Sequence, residues 1–171
     1  MIEQAVLNKN SSDTEIYVSL LPQLESIISP DDQVISVLSN ITAILKEAFD
    51  KISWVGFYLL KGNTLYLGSF QGKIACSSIT LGKGVCGYSA LEKKTIIVED
   101  VANFQGHISC DSGSKSEIVV PIVSDGIVYG VLDIDSYSYA AFNETDKLFL
   151  EKTVELIIRK IDLEKLKIII I

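Results

Sequence analysis

The chain has 171 residues, 48% apolar and 22% charged, which suits a single globular domain with a sizeable core and excludes a disordered chain. Its formal net charge of −7 argues against nucleic acid or an anionic membrane as a partner, since both attract basic surfaces. Glu3, Gln4, Asn8 and Lys9 break any signal-peptide pattern, and no apolar run reaches the ~18 residues of a membrane span.

In chain order, residues 12–28 read as a helix opened by Ser12 and Asp13, with Pro22 expected to kink or split it. Pro30 ends that helix. Asp31 and Asp32 open a second, whose Val34, Leu38, Ile41 and Leu45 recur at helical spacing. Residues 53–60 then alternate, turn at Gly62-Asn63 and return through residues 65–70, a β-hairpin. Glycine punctuates residues 72–94, which read as a strand near 77–80 and a short helix near 87–91. Residues 95–100 form a short strand. Residues 101–116 form a long loop, and a loop of that length in a compact domain usually carries function. Residues 117–123 and 127–135 are two strands joined by Ser124-Asp125-Gly126, read as a three-residue connection. Asn143 caps a last helix, with Leu150, Val154, Ile157 and Ile161 on its inner face. The tail, residues 167–171, reads as a frayed end or a packing contact. This order predicts an α+β fold: an antiparallel sheet with helices on one face and pocket-forming loops on the other.

Asp133 and Asp135 are two apart on a strand, so they share a face, with Val131 and Tyr129 beside them. If Val123 faces Ile127, counting across the hairpin sets Glu117 opposite Asp133. Three carboxylates on one patch repel one another, which predicts a site for a cation, an ammonium group or a shared proton. Trp54 and Tyr58, with Gly56 between them, supply either core packing or an aromatic wall for a small ligand.

The odd count of three cysteines fits a cytoplasmic chain with reduced thiols better than a secreted scaffold. Cys76, Cys86 and Cys110 each lie in or beside a Gly/Ser-rich segment. None shows Cys-x-x-Cys spacing, and His107 with the three cysteines lacks the paired spacing of a zinc site, so no metal is expected. A redox reading needs one thiolate nucleophile and a second thiol to condense with its sulfenic acid. Lys73, Lys83 or a helix end could lower a thiol pKa.

The segments WVGFYLL, LGSFQGKIACSSI, GKGVCGYSA, VEDVANFQGHISCDSGSKSEIVVPI and GVLDIDS resemble the GAF-domain free methionine-(R)-sulfoxide reductases, over about residues 14–162 of a single domain spanning 1–171. The resemblance implies reduction of free L-methionine (R)-S-oxide to methionine, with thioredoxin as the external thiol reductant and no bound cofactor. It implies that Cys110 is the nucleophile and that Cys76 and Cys86 are recycling cysteines, with Cys76 favoured over Cys86 as the disulfide partner of Cys110. It also implies that Glu117, Asp133 and Asp135 bind substrate and that Trp54 and Tyr58 surround its S-methyl group. His107 is expected to order its loop. Homodimers are common among such domains, and the terminal helices could supply the interface. The competing reading is a GAF sensor that binds a small molecule without turnover; a third is a protein whose cysteines only sense oxidants.

Overall fold

The computed structural model describes residues 11–108 and 110–168. Helix α1 spans Asp13–Ile27 and starts at a reciprocal capping box, in which the Ser12 hydroxyl accepts from the Glu15 N–H and Glu15 accepts from the Ser12 N–H. It continues through Pro22 instead of splitting there. The carbonyl that Pro22 leaves without a donor belongs to Val18, an exposed residue, so water can satisfy it. Helix α2 spans Val34–Ala48 with Gln33 at its N-cap, leaving Asp31 and Asp32 in the turn before it. Helix α4, Glu144–Lys160, starts at Asn143 as expected. A further short helix, α5 (Glu164–Ile168), extends the ordered end beyond the expected core. Residues 169–171 of the tail lie outside the described residues.

Six strands form one antiparallel sheet: β1 (Trp54–Lys61), β2 (Thr64–Gln71), β3 (Ser78–Thr80), β4 (Ile96–Val98), β5 (Ser116–Ser124) and β6 (Ile127–Ser136), in the spatial order β3-β2-β1-β6-β5-β4. The central pairing, β1 with β6, joins residues 71 to 81 positions apart, from Leu59–Gly130 to Trp54–Asp135. Period-two alternation sends Val55, Phe57, Leu59, Ile118, Val120, Leu132 and Ile134 to the face covered by α1, α2, α4 and α5. Leu38, Ile41 and Leu45 of α2 are completely buried there, each contributing about 1.5–3 kcal/mol. Tyr17 of α1 donates to the buried Asp146 of α4 (3.0 Å), and Lys51 bridges Asp146 and Asp13 (2.6 Å each), which ties the outer helices to the α2–β1 turn. The opposite face carries Trp54, Tyr58, Val119 and Val131, beneath the loops and α3 (Gly84–Glu92). Among the described residues no helix is long and apolar enough to cross a membrane.

Two details of the β5–β6 hairpin differ from the sequence reading. The connection has two residues, Asp125 and Gly126, both at positive φ (50° and 76°), with Ser124 paired to Ile127; this is the type I′ geometry favoured by Asp-Gly. A bulge then shifts the register between Ile122 and Val123, because Val123 pairs with Val128 and Ile122 with Gly130. Each change moves the register by one residue, so Glu117 lies opposite Asp135 and not Asp133. The two shifts together preserve every face beyond the bulge. Tyr129, the extra residue, packs in the helix-side core instead of beside Val131 and hydrogen-bonds Glu164 of α5.

Candidate active site

The floor of the site is the face shared by β1, β6 and β5. Trp54 pairs with Asp135, Gly56 with Asp133, Glu117 with Asp135, and Val119 with Asp133. Three carboxylates therefore converge from two adjacent strands, beside two aromatics from a third. Trp54 lies across Gly56 so closely that a β-carbon there would sit 2.3 Å from the indole ring, and only glycine leaves that room. The indole N–H donates to the Lys73 carbonyl and the Tyr58 hydroxyl to the Cys76 carbonyl, both at 3.0 Å. Strand β1 thus supplies the aromatic wall and also anchors the loop that carries Cys76.

The roof comes from that loop, from α3 and from the long loop after β4. Cys76 and Cys110, separated by 34 residues, form a disulfide. Cys86 on α3 is outside that bond; its buried thiol donates to Glu117 Oε1 at 3.9 Å. The three sulfurs therefore do not gather as a zinc site. Cys86, Glu117 and Asp133 instead place one donor atom each within 4.8 Å of one another, a set able to hold a cation. Seven of the eight residues singled out in the sequence line the resulting cavity, and Cys76 stands behind it through its bond to Cys110. The cavity between floor and roof is small, about 40 Å³, and partly open to solvent.

Burial dominates the electrostatics. Glu117 and Asp133 are each only 6% exposed. Burial, then the charges of Asp133 and Asp135, raise the Glu117 pKa well above the usual carboxylate range. Asp135 is raised by burial and by Asp133. Burial pushes Asp133 up to about 6, against the opposing effect of its contacts with Cys86 and Glu117. Burial, followed by the Asp133 and Glu117 charges, raises the Cys86 thiol as well. Cys86 is thus held as a protonated donor, and the carboxylates retain at least one proton near neutrality. Asp133 Oδ1 is buried with no hydrogen-bond partner among the described residues, an unmet acceptor that costs roughly 1–3 kcal/mol.

Of the residues around the site, His107 was expected to order its loop and Lys73 was a candidate for lowering a thiol pKa, while Asp111 had no assigned role. His107 reaches within 3.9 Å of Glu117 Oε2, and burial lowers its pKa, so it stands beside the acid as neutral imidazole near neutrality. Asp111, next to Cys110, accepts from the Tyr137 hydroxyl (2.7 Å) and the Gly113 N–H (2.9 Å), and Lys73 lies 3.4 Å away. Lys73 therefore meets a carboxylate. The adjacency of Asp111 to Cys110 was visible in the sequence; its partners Tyr137 and Lys73 come from distant segments and were not.

This combination, an antiparallel sheet with helices behind it and a loop-roofed pocket in front, defines a GAF-domain protein, and residues 32–161 match the GAF domain family. A GAF domain-containing protein A of Dictyostelium discoideum is 46% identical over 158 residues, covering 92% of this chain and 99% of that protein. Free methionine-R-sulfoxide reductase of Saccharomyces cerevisiae is 45% identical over 158 residues, 88% of each chain. The X-ray structure of free methionine-R-sulfoxide reductase from Neisseria meningitidis in complex with its substrate superposes with a TM-score of 0.87 at 41% identity, covering 96% of this chain and 98% of that one. The chain belongs to the GAF-domain free methionine-R-sulfoxide reductases, a family of oxidoreductases.

Proposed function

We propose that this protein reduces free L-methionine (R)-S-oxide to methionine. The observation that carries the reading is the proton-retaining carboxylate cluster, with one buried oxygen unpartnered, under a roof that carries two redox-competent cysteines. In the reduced enzyme the Cys110 thiolate attacks the sulfoxide sulfur. The sulfoxide oxygen takes a proton from the carboxylate cluster as the sulfur is attacked. Asp133 Oδ1 accepts from the substrate α-ammonium, which selects the free amino acid, because a residue inside a peptide has no ammonium to offer. Trp54 and Tyr58 enclose the S-methyl group. The substrate S–O bond breaks, the oxygen passes to the Cys110 sulfur as a sulfenic acid, methionine leaves with its sulfur reduced to the thioether, and condensation of the sulfenic acid with the Cys76 thiol yields the disulfide and water.

The electrons come from an external dithiol of the thioredoxin class by thiol–disulfide exchange, without a bound cofactor. Cys86 holds Glu117 in place; the recycling role implied by the resemblance would require the Cys110 loop to swing toward α3. The reading places the protein in the cytoplasm, where such a dithiol pool keeps Cys86 reduced. A homodimer through the outer helices would use the apolar side chains they leave exposed, such as Val18 and Leu148.

The test is reductase turnover with separated R and S epimers, each free and within a peptide, coupled to thioredoxin and its reductase. Turnover of the free R epimer alone is expected. Absence of turnover with that epimer overturns the reading.

A further inference from the structure

We propose that Asp111 is a positioning residue for the second half of the reaction: its carboxylate, with Tyr137 and Lys73, clamps the Cys110 loop against the Cys76 loop so that the disulfide closes quickly. The inference rests on the function proposed above. The relevant step balances within the protein. The Cys110 S–O bond breaks, the Cys110–Cys76 S–S bond forms, and the departing hydroxyl leaves as water with the Cys76 thiol proton.

The two loops are held differently. The Cys76 loop rests on β1 through the Trp54 and Tyr58 hydrogen bonds. The Cys110 loop is anchored at its two ends, where the Gly106 carbonyl accepts from the Gly84 N–H (3.2 Å) and the Lys115 N–H donates to the Ser136 carbonyl (2.8 Å). Between those anchors the backbone hydrogen bonds of the described residues are local, from His107 to Phe104, Cys110 to Ile108 and Ser114 to Asp111, and they shape the turn without tying Cys110 to the Cys76 loop. Asp111 supplies that cross-loop tie. One carboxylate oxygen accepts the Gly113 N–H and tightens the turn; the other accepts from Tyr137, just beyond β6, and faces Lys73. The Lys73 ammonium lies 4.9 Å from the Tyr137 ring centroid and closes the triangle.

Lys73 is three residues before Cys76, and Asp111 is one residue after Cys110. The Lys73–Asp111 pair therefore spans the same two loops as the disulfide and remains available when that bond is reduced. The clamp lies at the surface, with Tyr137 41% exposed. An exposed ion pair is weak and easily opened, while the phenol–carboxylate bond is the stronger member. A contact of this strength lets the loop lift for substrate and then returns Cys110 to Cys76. It also gives a use to Tyr137, an exposed aromatic that the cavity does not employ.

Tyr137→Phe, Lys73→Met and Asp111→Asn test this with two readouts. In single turnover with one equivalent of free substrate, methionine release, disulfide closure and trapping of the sulfenic acid by dimedone are followed separately. In a dithiol redox buffer without substrate, the disulfide potential is measured. For Tyr137→Phe and Lys73→Met, methionine release is expected within about twofold of wild type, because neither side chain lines the cavity. For Tyr137→Phe, disulfide closure is expected to slow about three- to tenfold, dimedone adduct to rise, and the potential to move about 15–30 mV less negative. Asp111→Asn should give the largest effect on closure. Wild-type closure rates and potentials in all three variants would overturn the proposal. So would an equal loss of methionine release and closure, which marks a general structural defect. If wild type itself releases no methionine, the proposed function fails, and the substrate-free potential still decides the clamp.

Discussion

Replacing Asp133 with Asn should stabilise the protein above neutral pH while disabling it. Asp133 is 6% exposed, has an oxygen with no partner, and has its pKa pushed from 3.8 to about 6 by burial. A carboxyl whose folded pKa exceeds its unfolded value binds its proton more tightly when folded. Stability is therefore lost as pH rises from about 4 to about 6 and stays low above that window. A shift of about two units at 1.36 kcal/mol each corresponds to roughly 3 kcal/mol, and imperfect accommodation of the amide reduces the expected gain to about 2 kcal/mol. Urea unfolding of the disulfide form at pH 4 and pH 8 measures this directly. The variant should match wild type at pH 4, exceed it by about 2 kcal/mol at pH 8, and show a smaller fall in stability between them, the remainder coming from Glu117 and Asp135, whose pKa values burial also raises. Catalytic efficiency should drop about tenfold to a hundredfold with the loss of a charged hydrogen bond to the substrate ammonium. An unchanged pH slope, or a variant less stable than wild type at pH 8, would refute the electrostatic account of the cluster.

Cys86→Ala should still form the Cys76–Cys110 disulfide after oxidation by substrate, as mapped by non-reducing digestion and mass spectrometry, because Cys86 is outside that bond in the structure. The same variant should show the alkaline limb of its pH–rate profile moved to higher pH, since Glu117, as proton donor, loses the thiol that lowers its pKa; a missing disulfide would instead make Cys86 part of the recycling path. The oxidised form should bind methionine at least tenfold more weakly than the reduced form in calorimetry, because the disulfide holds Cys110, which lines the cavity, in place over the site. Equal affinities would mean that the Cys110 loop does not gate the pocket.

Much of the site was legible because strand periodicity is robust to small errors. The hairpin was read with one residue too many in its turn and without the bulge at Tyr129, yet the two errors together left Glu117, Asp133 and Asp135 on one face. Tyr129 sits in the bulge itself, where alternation fails, and it went to the other side of the sheet. Pro22 looked like a breaker, since propensity does not reveal that its freed carbonyl would belong to an exposed residue.

By itself the sequence determined the main helices and strands, the shared face of the three carboxylates, the aromatic pair on β1 and the loops that carry Cys76 and Cys110, because these follow from periodicity and turn chemistry within short stretches. Only the tertiary structure decided that β1 pairs with β6, which brings Trp54 beside Asp135. It also decided that Cys86 donates to Glu117 while Cys76 bonds Cys110, and that Asp111 meets Tyr137 and Lys73. Those contacts join segments tens of residues apart. Their partners are selected by the packing of the whole sheet and its loops, which no local pattern encodes.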